Sequence, residues 1–233
     1  MKAPSQAFMD RILNDFLPTF CRSRSLSSDG FIQKWDKISE RDATDFLRGI
    51  DAGLLKYDGR GLYRAPRSYA GEQFFWSGRK KKTPRPITLW VEPIITVAVL
   101  ARLHFDLNWP KEMLGTQTKG NWAFDVATYM AADSDLEHVA CEVKKSAAEI
   151  GKLLELMRRF GTDTQADAAQ NEKNAFRKVK ALRIRRPPLF WAVGPEGLSH
   201  AFRVEYSQEG IVSFHEIEIQ ELRYPLPQLP SPQ

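Results

Sequence analysis

Three ionisable residues stand inside two apolar runs of the segment GNWAFDVATYMAADSDLEHVACEVKKS, residues 120 to 146: Asp125 in the first run, Glu142 and Lys144 in the second. In an extended strand, residues two apart share a face, so Glu142 and Lys144 point one way while Cys141, Val143 and Lys145 point the other. Pairing of the two runs would bring Asp125 beside Glu142. Two carboxylates in contact repel each other unless a cation lies between them, and a hard divalent ion, Mg²⁺ or Mn²⁺, suits oxygen donors of this kind. An ammonium alongside can orient a water molecule or stabilise negative charge growing on a phosphate. The competing interpretation has Asp125 ending a strand at a turn, with Glu142 and Lys144 paired across an exposed sheet face.

These residues must be held by regular elements, and the patterning predicts them. Trp122 to Tyr129 and Val139 to Lys144 read as strands separated by the acidic, turn-like AADSDLEH. Ser146 caps a helix running through Phe160, with Ile150, Leu153, Leu154 and Met157 on its core side and Gly161 as the stop. Upstream, the largely apolar run ITLWVEPIITVAVLARLHFDL predicts a buried helix started by Pro93, which puts Glu92 at its N-terminal end. Downstream, AFRKVKALRIRR reads as a basic helix after a polar connection, and PPLFWAVGP, HAFRVEYS and GIVSFHEIEI as three strands.

The order of these elements resembles the core of the PD-(D/E)XK, or restriction-endonuclease-like, nucleases. An acid on a leading helix is followed by a strand Asp, a strand Glu-x-Lys and a packing helix. The resemblance covers about residues 87 to 195. It implies an α/β fold with a mixed sheet flanked by helices. It also implies Mg²⁺- or Mn²⁺-dependent hydrolysis of DNA phosphodiesters, with Asp125, Glu142, Lys144 and Glu92 as catalytic residues. Asp125 and Glu142 would bind the metal with the Val143 carbonyl as a further ligand, Lys144 would position the nucleophile, and Glu92 would serve a second ion or metal waters. Gly120 fits the small residue that often precedes the Asp strand, while Phe124 replaces the family's proline. A restriction-type endonuclease is the setting this suggests. The rival is a DNA-binding protein or regulator that keeps the fold without the chemistry, and RNA is the alternative substrate.

The N-terminal part carries a different pattern. Apolar residues at 8, 9, 12, 13, 16, 17 and 20 mark one helix face, a short helix follows around Phe31 to Trp35, and a third starts at Ser39 and ends at Gly53. LLKYDGRGLYRAP then reads as a hairpin. Three helices and a hairpin resemble a winged helix-turn-helix over residues 1 to 68. Its third helix holds Glu40, Asp42, Asp45 and Asp51 against Arg41 and Arg48, which argues against base reading by that helix and leaves DNA binding and protein docking as alternatives. Residues 69 to 86, with the run GRKKKTPRP, read as a basic linker, 87 to 224 as the nuclease-like domain, and 225 to 233 as a proline-rich tail.

Charge is unevenly distributed. Residues 1 to 85 hold 17 Lys/Arg against 10 Asp/Glu, and residues 86 to 233 hold 17 against 19, for a net charge of +5. A basic half suits a polyanion. Candidate phosphate contacts are Arg60, Arg64 and Arg67 in the hairpin region, Lys119, and the run Arg177, Lys178, Lys180, Arg183, Arg185 and Arg186. Cys21 and Cys141 stand far apart, and His104, His138, His200 and His215 lack ligand spacing, so structural zinc and a disulfide framework are not expected. No GxSxG, GxxxxGK[ST] or GxGxxG occurs, which removes the signals for acyl transfer, nucleoside triphosphate hydrolysis and dinucleotide binding. No apolar run reaches the ~18 residues of a membrane span, and the expected compartment is the cytoplasm. Cutting both strands of DNA would call for a homodimer.

Overall fold

The computed structural model describes residues 4–79, 82–118, 123–131, 133–165 and 167–225. Lys119, Gly120, Trp122 and most of the proline-rich tail lie outside these residues. The fold is mixed α/β, with a six-stranded mixed sheet flanked by helices.

The first apolar stripe forms α1 (Gln6–Arg11), a π-helical turn (Ile12–Phe16) and α2 (Leu17–Arg24) in unbroken succession. Phe8, Ile12, Phe16, Leu17 and Phe20 are all buried, as the spacing predicts. Next comes α3 (Glu40–Asp51), capped by Ser39, whose Oγ accepts from the Asp42 N–H at 3.0 Å. A three-stranded antiparallel sheet follows, ordered β1 (Lys56–Tyr57), β2 (Leu62–Arg64), β3 (Glu72–Gln73). The segment read as a linker contributes β3 and also β4 (Phe75–Ser77), which pairs with β5 (Ile87–Leu89) on the far side of the basic run. Phe74 and Phe75 are fully enclosed.

The long apolar helix α4 (Val91–Phe105) is buried along nearly all its length. It is followed by β6 (Leu114–Thr116), β7 (Val126–Tyr129) and β8 (Glu137–Val143). Then come α5 (Ala147–Thr162), α6 (Lys173–Arg185), β9 (Leu189–Val193), β10 (Ser199–Tyr206) and β11 (Val212–Ile217). The sheet order is β11-β10-β9-β8-β7-β6, antiparallel except for the β8–β9 pair. That one parallel pair is joined by α5 and α6, which is what a parallel connection requires.

Side chains alternate across the sheet as strand geometry demands. Val139, Cys141 and Val143 of β8, with Trp191 and Val193 of β9, face a core shared with α4 and the N-terminal helices. Ala140, Phe190 and Ala192 face the opposite core under α5 and α6. The first core is continuous from Phe8 through α4 to the sheet, so the N-terminal elements and the sheet share one apolar interior.

One feature departs from the sequence expectations. Gly161 does not stop its helix, since α5 continues to Thr162. A Cβ at Gly161 would lie 2.4 Å from the Val212 carbonyl oxygen, so the missing side chain permits close approach to β11. The acids of α3 do not face solvent as a set. Asp42 and Asp45 are buried and pair with Arg102 of α4, Asp45 Oδ2 accepting from Arg102 Nε at 2.7 Å. Among the described residues no helix is long and apolar enough to cross a membrane.

Candidate active site

Strand pairing places the candidate residues. The β7–β8 register ends where Val126 lies opposite Cys141, one residue short of both Asp125 and Glu142. Asp125 stands just ahead of β7 rather than within it, yet remains tied to β8: its N–H donates to the Cys141 carbonyl at 3.0 Å, and its Oδ2 accepts from the Val143 N–H at 2.8 Å. The carboxylate is therefore fixed against the Glu142-Val143-Lys144 backbone.

Glu142 is 1% exposed, and both of its oxygens are engaged. Oε1 accepts from the Lys144 ammonium and Oε2 from Lys178 of α6. Lys144 Nζ also donates to the Val143 carbonyl at 3.0 Å, and its own backbone N–H donates to Val193 O at 2.9 Å, which locks the end of β8 to β9. Lys178 Nζ also donates to the Ala123 carbonyl at 2.7 Å. Lys145 points away, is exposed and reaches Glu149 at 3.5 Å.

The electrostatics divide the two carboxylates. Burial alone would raise Glu142, but the charges and hydrogen bonds of Lys178 and Lys144 outweigh it and hold the group below its ordinary value. Asp125 is pushed up to about 8, first by burial and then by the neighbouring Glu142 charge, with Lys178, Lys144 and the Val143 N–H acting in opposition. Burial pulls Lys144 down, but the charges of Glu142 and Asp125, the hydrogen bond to Glu142 and the charge of Glu92 together hold it above an ordinary lysine.

Glu92, in the first turn of α4, lines a cleft together with Asp125, Glu72, Gln117, Thr96 and the 40% exposed Trp90. Asp125 thus touches Val143, Lys144 touches Glu142 and Val143, and Glu92 lines the cleft with Asp125. Asp125 and Glu142 offer carboxylate oxygens, the donor type that a hard divalent cation takes. Among the described residues no three carboxylate, imidazole or thiol side chains converge closely enough to hold an ion unaided.

Two residues of this site were missed in the sequence. The sequence places Lys178 among the candidate phosphate contacts, but it is 2% exposed and turned inward onto Glu142. Helical periodicity carried the signal, because Lys178 falls on the same face as Ala175, Val179 and Leu182. Glu72 is 3% exposed and accepts from Gln117 Nε2 at 3.0 Å. It lies in the segment taken for a linker, where nothing local marked it.

Burial raises Glu72 to about 7, against the hydrogen bonds from Gln117 and Thr116. Its folded value lies above its unfolded one, so between about 4.5 and 7 the fold keeps a proton that the unfolded chain has released. The group therefore subtracts stability as pH rises through that window, by at most ~1.4 kcal/mol per unit. Glu72→Gln is expected to match the wild type below the window and to gain on it steadily up to pH 7, as read by urea unfolding at several pH values. A stability difference that does not change with pH would show that Glu72 is not held protonated.

The remaining basic residues separate into two groups. Arg183 donates to the carbonyls of Gly210 at 2.7 Å and Phe160 at 2.6 Å, and Arg185 donates to Thr118 Oγ1 at 2.8 Å and Glu137 at 2.6 Å, so both tie the fold together. Arg67 donates to the Ser134 carbonyl and lies over the Tyr129 ring at 4.6 Å. Arg64 is exposed and pairs with Asp58 at 2.8 Å. Arg60, Arg177, Lys180 and Arg186 are exposed. The histidines are dispersed, and both cysteines are buried and free. Comparison with protein-family models, with curated proteins and with solved structures returns no match.

Proposed function

We propose that the protein is a metal-dependent DNA endonuclease. On this reading residues 87–224 form a restriction-endonuclease-like domain and residues 1–68 a winged-helix-like module. The observation that carries it is the cross-strand placement of Asp125, whose carboxylate is hydrogen-bonded to the Val143 N–H within the Glu142-Val143-Lys144 segment. The order of elements supports it as well: Glu92 on α4, Asp125 leading into β7, Glu142 and Lys144 at the end of β8, then α5.

Asp125, Glu142 and the Val143 carbonyl would hold Mg²⁺ or Mn²⁺. When bound, the ion supplies Lewis-acid stabilisation of charge developing on the phosphoryl group. The protein's own residues do the rest. Lys144 orients the attacking water and stabilises the negative charge that grows as phosphorus is attacked. The new bond forms between the water oxygen and phosphorus, the bond to the 3′ oxygen breaks, and that oxygen takes up a proton, leaving a 5′-phosphate. Glu92 faces the same cleft and adds to the negative potential that keeps Lys144 charged. Arg60, Arg64, Arg177, Lys180 and Arg186, all exposed, are the candidates for phosphate contact. Two copies would attack the two strands.

One observation favours the rival, a DNA-binding protein without chemistry: Glu142 is already ion-paired on both oxygens. Incubation of the protein with plasmid DNA and with RNA, in Mg²⁺ or Mn²⁺ and again with chelator, separates the two readings. Chelator-sensitive cutting of DNA is expected. Retarded migration of DNA in a gel, with neither polymer ever cut, would establish the rival, and cutting confined to RNA would move the substrate class.

A further inference from the structure

Lys178 has no part in the chemistry described above, yet it is among the most deeply buried charges in the protein. Its ammonium is fixed by two oxygens, Glu142 Oε2 and the Ala123 carbonyl at 2.7 Å, and it lies 5.7 Å from the centre of the Phe124 ring. Its backbone belongs to α6, whose apolar face packs into the core under the sheet, so the ammonium cannot leave without withdrawing a buried stem. Lys144 differs: its side chain is 16% exposed, it stands at the end of a strand, and its two acceptors, Glu142 Oε1 and the Val143 carbonyl, are groups a cation would use.

We propose that Lys178 is a built-in positive charge that takes the place of a second metal ion, so that this site holds a single divalent cation on the Asp125 side of Glu142. The inference rests on the metal-site reading given above. The geometry supports it: Glu142 is engaged on both oxygens by ammonium groups, and the one on Oε2 is held in place by the Ala123 carbonyl as well. A second ion would add two positive charges beside a buried ammonium, where like charges are strongly disfavoured. Glu142 Oε2 and the Ala123 carbonyl, the oxygens a second ion would need on that side, are those occupied by Lys178.

Titration of Mn²⁺ into the full-length protein without nucleic acid, followed by calorimetry and by loss of the free-ion paramagnetic signal, reads the number of ions directly. Wild type is expected to bind one ion per chain, lost in Asp125→Asn. Lys178→Gln keeps donors toward Glu142 and Ala123 but removes the charge. It is expected to admit a second ion, or to bind the first about tenfold more tightly or better. Lys178→Arg, which keeps the charge, is expected to remain at one ion. Two ions on the wild type, or a Lys178→Gln variant unchanged in both number and affinity, would overturn the inference and leave the site reading intact. No ion on the wild type would overturn both. Should the variants fail to fold, the wild-type count decides alone: one ion supports the inference, and two or none overturns it.

Discussion

Under the proposed nuclease function, Lys144→Met is expected to lower metal-dependent cleavage of DNA by at least about 10³-fold, the scale on which a preorganised charge at a reacting centre contributes. The reason is positional. Among the described residues Lys144 is the ammonium that touches both Glu142 and the Val143 carbonyl, and its side chain stays 16% exposed. Its neighbour Lys145 has the same chemistry but lies on the other side of the strand, exposed and paired with Glu149. Lys145→Met should therefore stay within about twofold of wild type, since an exposed pair of this kind contributes little. Initial rates of supercoiled plasmid nicking, with melting temperature as the control for folding, compare the two. Loss of activity in Lys145→Met with Lys144→Met still active would reverse the register of β8 and remove the basis of the site.

The second large effect concerns stability. Arg102→Met is expected to cost about 3–5 kcal/mol, because it leaves two buried carboxylates without their cation. Arg102 is 4% exposed and grips Asp42 and Asp45 of α3, while Asp42 also accepts from the Glu196 N–H at 2.9 Å. Burial would lower the guanidinium, but Asp42 and Asp45 hold it above its ordinary value. Against a total stability of about 5–15 kcal/mol, a loss of this size would unfold a large fraction of the protein under mild denaturant. Adding Asp42→Asn and Asp45→Asn to the variant should recover much of the loss, since the stranded charges are then gone. A urea midpoint unchanged in Arg102→Met would show that α3 and α4 are not joined through this pair. The same pair connects the N-terminal helices to α4, the helix whose first turn carries Glu92.

Much of the site could be read in the chain. Two-residue periodicity put Glu142 and Lys144 on one face, and the hydrogen bond between them agrees. The apolar stripe of residues 150 to 160 and its Ser146 cap gave the helix after β8, with Ser146 Oγ accepting from the Glu149 N–H at 3.3 Å. Pro93 and its neighbours located the helix that bears Glu92. Arg102 showed no signal, because a charge inside a long apolar run betrays neither its partner nor the element supplying it. The acids of α3 were visible as a departure from DNA-reading helices, but their reason, a cation on another helix, was not.

What the order of residues determined alone is local: which segments are strands and helices, and which side chains share a face, because both follow from backbone geometry repeated every two or about 3.6 residues. The tertiary structure decided which distant groups meet. Lys178 reaches Glu142 across 36 residues, and Glu72 enters the cleft from the segment read as a linker. Such encounters depend on how helix and sheet faces pack and on the cost of leaving a buried charge unpaired. Those are properties of the assembled core, not of any stretch of sequence short enough to show a period.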